Sequence, residues 1–422
     1  MKKALSVVLV LATMLAFASC VSEAPEEESS SEIGEGSSAF ETESKTKEDS
    51  MTEETVTEGN KTESAESETI KNEEEEIVIL PEDGAKIILA NDEVYGWWSS
   101  YNYGKTDSNP FYRHEDIYYP KAVIFSWGDK ASAAYYRFYI STDESFALDK
   151  TESYLVNSNS LTLSHLYTGT KYYWFVVSTE IGEGGEEINT QAVSTRSFTT
   201  AESPRCLEIE GVSNTRDIGG IAAANGYRIK QGMIYRGGKL ENITEEGKDF
   251  FRNYLNLKTD LDLRTPGEGG AGSGSPLGED INYVNIDGRY YTGSKGITTE
   301  EGKAIFADEI RLFTNPDNYP IYIHCSLGRD RTGTLVFVIE SLLGVKKNML
   351  VMDYELSVFS VTGTLDNASI SAIKNNILAT YDYISSYEGS SFAEKTENYL
   401  LSIGITAEEI QTIRDLLLEE VE

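Results

Sequence analysis

His324-Cys325-Ser326-Leu327-Gly328-Arg329-Asp330-Arg331-Thr332-Gly333 is the stretch on which the rest of the sequence turns. Ahead of it, Ile321, Tyr322 and Ile323 form an apolar run with strand character. Behind it, Leu335, Val336, Phe337, Val338, Ile339 and Leu342 predict an apolar helix that begins near Thr332. A cysteine and an arginine therefore share a loop that leaves a strand and enters a helix. The first turn of a helix offers unpaired backbone N–H groups and the positive end of the helix dipole, so it binds anions. The same field favours a thiolate over a thiol. Arg331 adds a planar fork of donors matched to phosphate oxygens. Such a loop holds a nucleophilic sulfur inside an oxyanion cradle, a machine for moving a phosphoryl group.

This loop resembles that of the cysteine-dependent phosphatases, Cys-x5-Arg followed by Ser or Thr. Further motifs stand in order around it. Asn214-Thr215-Arg216-Asp217-Ile218-Gly219-Gly220, Tyr235-Arg236 and Asp262-Leu263-Arg264 with Glu268 precede it, and Asp353-Tyr354 with Ser357 follows. From near Cys206 to the C-terminus the series is similar to the atypical bacterial tyrosine phosphatases. The loop of that family reads His-Cys-x-x-Gly-Lys-Asp-Arg-Thr-Gly, and its members act on phosphotyrosine, often on phosphoserine/threonine, and some on phosphoinositides. The resemblance implies that Cys325 is the nucleophile and that Arg331 holds the equatorial phosphate oxygens. Ser326, Leu327, Gly328, Arg329 and Gly333 complete the phosphate-binding loop, and Thr332 assists the sulfur. It assigns the general acid to Asp330, inside the loop. Asp287, after a strand, is the second candidate. His324, Arg216 and Arg236 are expected to brace the loop. This chain has Arg329 where the family has Lys, which leaves phosphoinositide activity open.

Composition narrows the function classes. Over 422 residues the formal net charge is -34, so a basic nucleic-acid-binding surface is not expected. Three cysteines, Cys20, Cys206 and Cys325, give no disulfide framework. Three histidines, His114, His165 and His324, have no zinc spacing, and neither a metal nor a cofactor is expected.

The N-terminus reads as a targeting segment. Lys2 and Lys3 precede an apolar run from Ala4 to Phe17, then Ala18-Ser19-Cys20. This resembles the bacterial lipoprotein signal (residues 1–20), with Cys20 lipidated and the protein tethered to the outer face of a membrane. Without lipidation the protein would be secreted. Residues 21–78 carry 20 acidic and four basic residues, nearly half of the net charge, and scarcely a large apolar one. Such a segment is a disordered, self-repelling linker.

Residues 79–200 alternate in short apolar runs, as strands do. Val123 to Trp127, Tyr135 to Ile140 and Tyr172 to Val177 are the clearest. The stretch from Leu163 to Val176 resembles the E–F corner of a fibronectin type III module, with Tyr172 closing the corner and Trp127 as core tryptophan. An aromatic insertion, 95–119, either packs on that module or offers a glycan or protein contact. The expected architecture is thus multidomain. A fibronectin type III-like β-sandwich precedes an α/β cysteine-phosphatase domain (203–422), whose central sheet is flanked by helices. The last helix is predicted over Thr406 to Glu420, opened by a Thr406/Glu409 capping box.

The leading reading is a surface phosphatase acting on a phosphorylated protein or lipid. A surface binding protein that uses the fibronectin-like module and a secreted phytase-like inositol phosphatase are the alternatives.

Overall fold

In a computed structural model, the structure describes residues 79–101, 118–128, 133, 135–288, 294–360 and 374–421. The signal, Cys20, the acidic linker and the aromatic positions within 102–117 lie outside the described residues. All described residues belong to one compact unit, Glu73–Glu422.

The first part of this unit is two β-sheets around one core. Ala85–Ile87, Glu187–Thr200, Lys171–Ile181, Tyr135–Ser141 and Thr151–Val156 lie side by side in that order, and Val123–Ser126 pairs with Ser160–Leu163. The alternation seen in the sequence is used as expected for strands with one buried face. Tyr136, Phe138 and Ile140 point inward, as do Val123 and Phe125, and they meet Trp127, Trp174 and Phe198. The Tyr172 hydroxyl accepts the Tyr167 N–H at 2.8 Å, which ties the corner before its strand.

The second part is built on a mixed sheet. Its order is Asn282–Asn285, Thr259–Asp262, Ile321–His324, Ile234–Gly237, Arg216–Asp217 and Arg205–Cys206. The first four are parallel to one another, and the last two antiparallel to their neighbours. Helices cover both faces. Ile321 and Ile323 pack with Leu335, Val338 and Leu342 of the helix Asp330–Leu342, whereas Tyr322, between them, packs with Phe251 and Leu255 on the other side. A period of two thus places the central strand between two apolar layers. Cys325 follows the carboxyl end of that strand, where open α/β sheets bind ligands.

Two expectations are corrected. The last helix ends at Leu417, because Leu418–Glu420 leave it to pair with Tyr227–Ile229 as a two-stranded ribbon; the Thr406/Glu409 capping box does open the helix. The described part of the aromatic insertion packs neither on its own sheets nor as an exposed glycan platform. The helix Asp92–Ser100, capped by Asn91, buries Val94 and Trp97 against Met352, Leu356 and Phe359 of the second part, together with Tyr118 and Cys206. Trp97 and Phe359 meet edge to face at 5.2 Å.

Candidate active site

The helix Asp330–Leu342 starts two residues earlier than its apolar run suggests, so Asp330, Arg331 and Thr332 lie in its first turn. No side chain caps it, so its first-turn N–H groups are not taken by a cap. Gly328 has φ +64°, and a Cβ there would collide with the Gly237 backbone, so only glycine lets the loop lie against the neighbouring strand.

Cys325 sits at the base of this loop, 3 % exposed. Burial would push its thiol up. The Thr332 hydroxyl and N–H, the Arg331 charge and the Leu327 N–H outweigh that and hold it below the ordinary thiol value. Among the described residues the buried Thr332 hydroxyl has no partner other than the sulfur beside it.

Arg331 is gripped by Glu268. Its Nη1 and Nη2 donate to Oε2 and Oε1 at 2.8 and 2.7 Å, and the Ser326 hydroxyl donates to the same Oε1 at 2.5 Å. The bidentate pair orients the guanidinium. The Arg331 hydrogen bonds hold the Glu268 carboxyl down at about 2. Asp330 accepts the Tyr354 hydroxyl at 2.5 Å and lies beside Arg329, whose Nη2 is 3.3 Å from Oδ2. Asp287 lies on the loop after Asn282–Asn285 and accepts from the Thr265 hydroxyl at 3.0 Å, while the Thr265 N–H donates to Glu268 Oε2 at 3.3 Å.

Beneath the loop is a buried polar layer. Arg236 donates to the Gly328 carbonyl at 2.7 Å and pairs with Asp353. Arg216 takes the other Asp353 oxygen at 2.7 Å and the Asn214 carboxamide oxygen at 2.7 Å. Asn214 in turn donates to the Leu327 carbonyl at 2.9 Å. Arg216 and Arg236 are 1 % and 0 % exposed, so their reach is to backbone and carboxylate. Although burial opposes it, the two guanidiniums hold the Asp353 carboxyl below its ordinary value. His324 Nε2 lies 3.0 Å from Asp260 Oδ1, and its Nδ1 is 3.3 Å from the Cys325 carbonyl oxygen. Burial would lower the imidazole pKa, but the Asp260 charge brings the balance above its ordinary value. His324 is thereby spent on bracing.

Cys325 through Gly333 lie together in space because they are contiguous. The sequence pattern quoted Glu268 and Tyr354 without roles, and it missed Asn214 and Asp260 as partners. Beside Ser326 and Leu327 a cleft of about 770 Å³ is bordered by Tyr119, Lys239 and three acids, Glu208, Glu210 and Glu246.

A strand–Cys loop–helix unit with a thiol held low and a loop arginine fixed by a glutamate is the site of the protein-tyrosine-phosphatase-like hydrolases. A sequence profile described as "Tyrosine phosphatase family" matches residues 207–419, just over half of the chain. The chain belongs to that family. It is 26% identical over 169 residues to a Cupriavidus necator protein named as a tyrosine-protein phosphatase, covering 35% of this chain and 61% of that one. Over 64 residues it is 47% identical to a Dictyostelium discoideum protein similarly named, covering 15% and 37%. The chain therefore spans less than two thirds of the length of these relatives. Solved structures similar to it include the core catalytic domain of the PP-IP phosphatase SIW14 from S. cerevisiae in complex with citrate. That match has 20% identity, covers 35% of this chain and 84% of that one, and has a TM-score of 0.25. Another is PTPMT1 in complex with PI(5)P, with 12% identity, 42% and 97% coverage and a TM-score of 0.21.

Proposed function

We propose that this protein hydrolyses phosphomonoesters of the phosphotyrosine type, through a cysteinyl-phosphate intermediate, outside the cell. The observation that carries the reading is Cys325, its thiol held low partly by the charge of an Arg331 fixed by Glu268. The Cys325 sulfur attacks phosphorus in line while Arg331 and the loop N–H groups hold the equatorial oxygens, where transition-state charge resides. As the S–P bond forms and the P–O bond breaks, Asp330 gives its proton to the leaving oxygen. In the second step Asp330 takes a proton from water, whose oxygen displaces the sulfur, with the Thr332 hydroxyl easing its departure. Asp330 is the acid rather than Asp287 because it is in the loop itself, two residues from Thr332. The acidic border of the adjacent cleft favours singly phosphorylated esters over polyphosphorylated ones.

The Ala18-Ser19-Cys20 site supports export and tethering through a lipidated Cys20. The Tyr172 corner and the buried Trp127 support a fibronectin type III-like module. Reduced full-length protein is expected to hydrolyse a phosphotyrosine peptide faster than a phosphoinositide or inositol hexakisphosphate, and Cys325→Ser to abolish turnover. If the wild type cleaves none of the three, the enzymatic reading fails.

A further inference from the structure

Tyr354 belongs to a motif around Asp353 and Ser357 for which the reaction above has no use, yet its hydroxyl reaches the loop. The ring is 1 % exposed, on the helix Lys347–Leu356, and its oxygen lies 2.5 Å from Asp330 Oδ1. Two independent features fix it there. Its neighbour Asp353 is held through both carboxylate oxygens and its carbonyl by Arg216 and Arg236. Its ring leans on the first turn of the helix Asp330–Leu342 at Gly333, where a Cβ would come within 2.5 Å of Tyr354 Cδ2. The glycine that ends the ten-residue loop thus makes room for this ring. Burial and the Asp330 charge push the Tyr354 phenol far above its ordinary value, so it stays a donor.

We propose that Tyr354 is the positioning residue of the general acid: by donating to Oδ1 of Asp330, it leaves Oδ2 as the oxygen that carries the proton to the leaving group. A carboxyl whose Oδ1 already accepts a phenol proton is protonated on its other oxygen. Among the described residues Oδ2 has the longer approach of Arg329 Nη2, at 3.3 Å, and the Asp330 side chain is 30 % exposed, so an ester in the loop can meet it. When Asp330 returns as carboxylate, the same phenol bond keeps the carboxylate turned for the water of the second step. The proposal rests on the reading of Asp330 as the acid.

The test uses reduced full-length protein and aryl phosphates whose leaving groups run from dinitrophenol to phenol. An acid matters most for the poorest leaving group. In Asp330→Asn, kcat/KM should fall about 10²-fold or more for phenyl phosphate and little for dinitrophenyl phosphate. Tyr354→Phe keeps the ring against Gly333, and should show the same tilt, with a fall of about tenfold or more for phenyl phosphate, under unchanged vanadate affinity. An equal fall across the series in Tyr354→Phe, a fall explained by weaker vanadate binding, or no fall would overturn the positioning role. If Asp330→Asn shows no tilt, it is the assignment of Asp330 that fails, and the two failures are told apart.

Discussion

Arg216 Nη1 donates to the Tyr118 hydroxyl at 3.2 Å, so a residue of the N-terminal part reaches the layer under the phosphate loop. The same guanidinium holds Asn214, which holds the Leu327 carbonyl. Tyr118→Phe removes an acceptor from a buried charged donor, and should destabilise the protein by about 1–3 kcal/mol, read as a lower urea midpoint. Excising residues 201–422 should do more, since it uncovers Met352, Leu356 and Phe359. The excised segment is expected to aggregate on a sizing column. If it stays monomeric, and as stable and active as the full chain, the shared core has no energetic weight.

Glu268 is reached from the helix side by Arg331 and from the loop by Ser326, and its carboxyl sits at about 2. A folded-state value below the ordinary carboxylate range stabilises the pair above that range and loses it as pH falls toward about 2. The pair is therefore intact at neutral pH. Glu268→Ala frees the guanidinium to rotate, and kcat/KM should fall about tenfold or more, by the same factor from about pH 5 to 8, with vanadate affinity falling too. Retained vanadate affinity would show that Arg331 is oriented without Glu268.

What was legible in the sequence follows the range of each interaction. Cys325, Asp330, Arg331 and Thr332 share one loop and one helical turn, so local patterning placed them together. Glu268 lies among Gly267, Gly269 and Gly270, all with positive φ, a stretch that reads as a turn and hides a carboxylate aimed at the arginine. The strand at Leu418–Glu420 looked helical because its alternative, pairing with Tyr227–Ile229, is a tertiary contact. The packing of Trp97 and Tyr118 against the second part was hidden for the same reason: Met352, Leu356 and Phe359 are more than 200 residues away in the chain.

The two described cysteines should differ sharply in reactivity. Cys325 is held below the ordinary thiol value, so more of it is thiolate at a given pH, and its alkylation by iodoacetate should reach half-maximal rate at a lower pH than that of a free thiol. Thr332→Ala removes the leading favourable contact and should move that midpoint up. Burial pushes the Cys206 thiol to about 12, and it should stay unlabelled until the protein is unfolded. Peptide mass spectrometry after labelling reads both sites. A Cys325 midpoint at or above the free-thiol value would remove the electrostatic basis of the proposed nucleophile.

Asp353 and Glu340 should be coupled. Glu340 is 0 % exposed, and among the described residues its oxygens have no hydrogen-bond partner. Burial first, and then the Asp353 charge, push its carboxyl well above the ordinary value, so it is neutral, while Arg236 and Arg216 pull the other way. Asp353→Asn leaves two buried guanidiniums short of a counter-charge, a loss of about 3–5 kcal/mol. It also removes one of the two causes that keep Glu340 neutral, leaving burial alone against Arg236 and Arg216, and Glu340 can then ionise and answer part of that loss. Glu340→Gln alone, replacing a neutral carboxyl, should cost within about 1 kcal/mol. The double variant lacks the compensation, and should be less stable than the sum of the singles by about 0.5–3 kcal/mol in a urea-denaturation cycle. Simple additivity would mean that Glu340 stays protonated whatever Asp353 does, and that the two arginines are balanced by Asp353 alone.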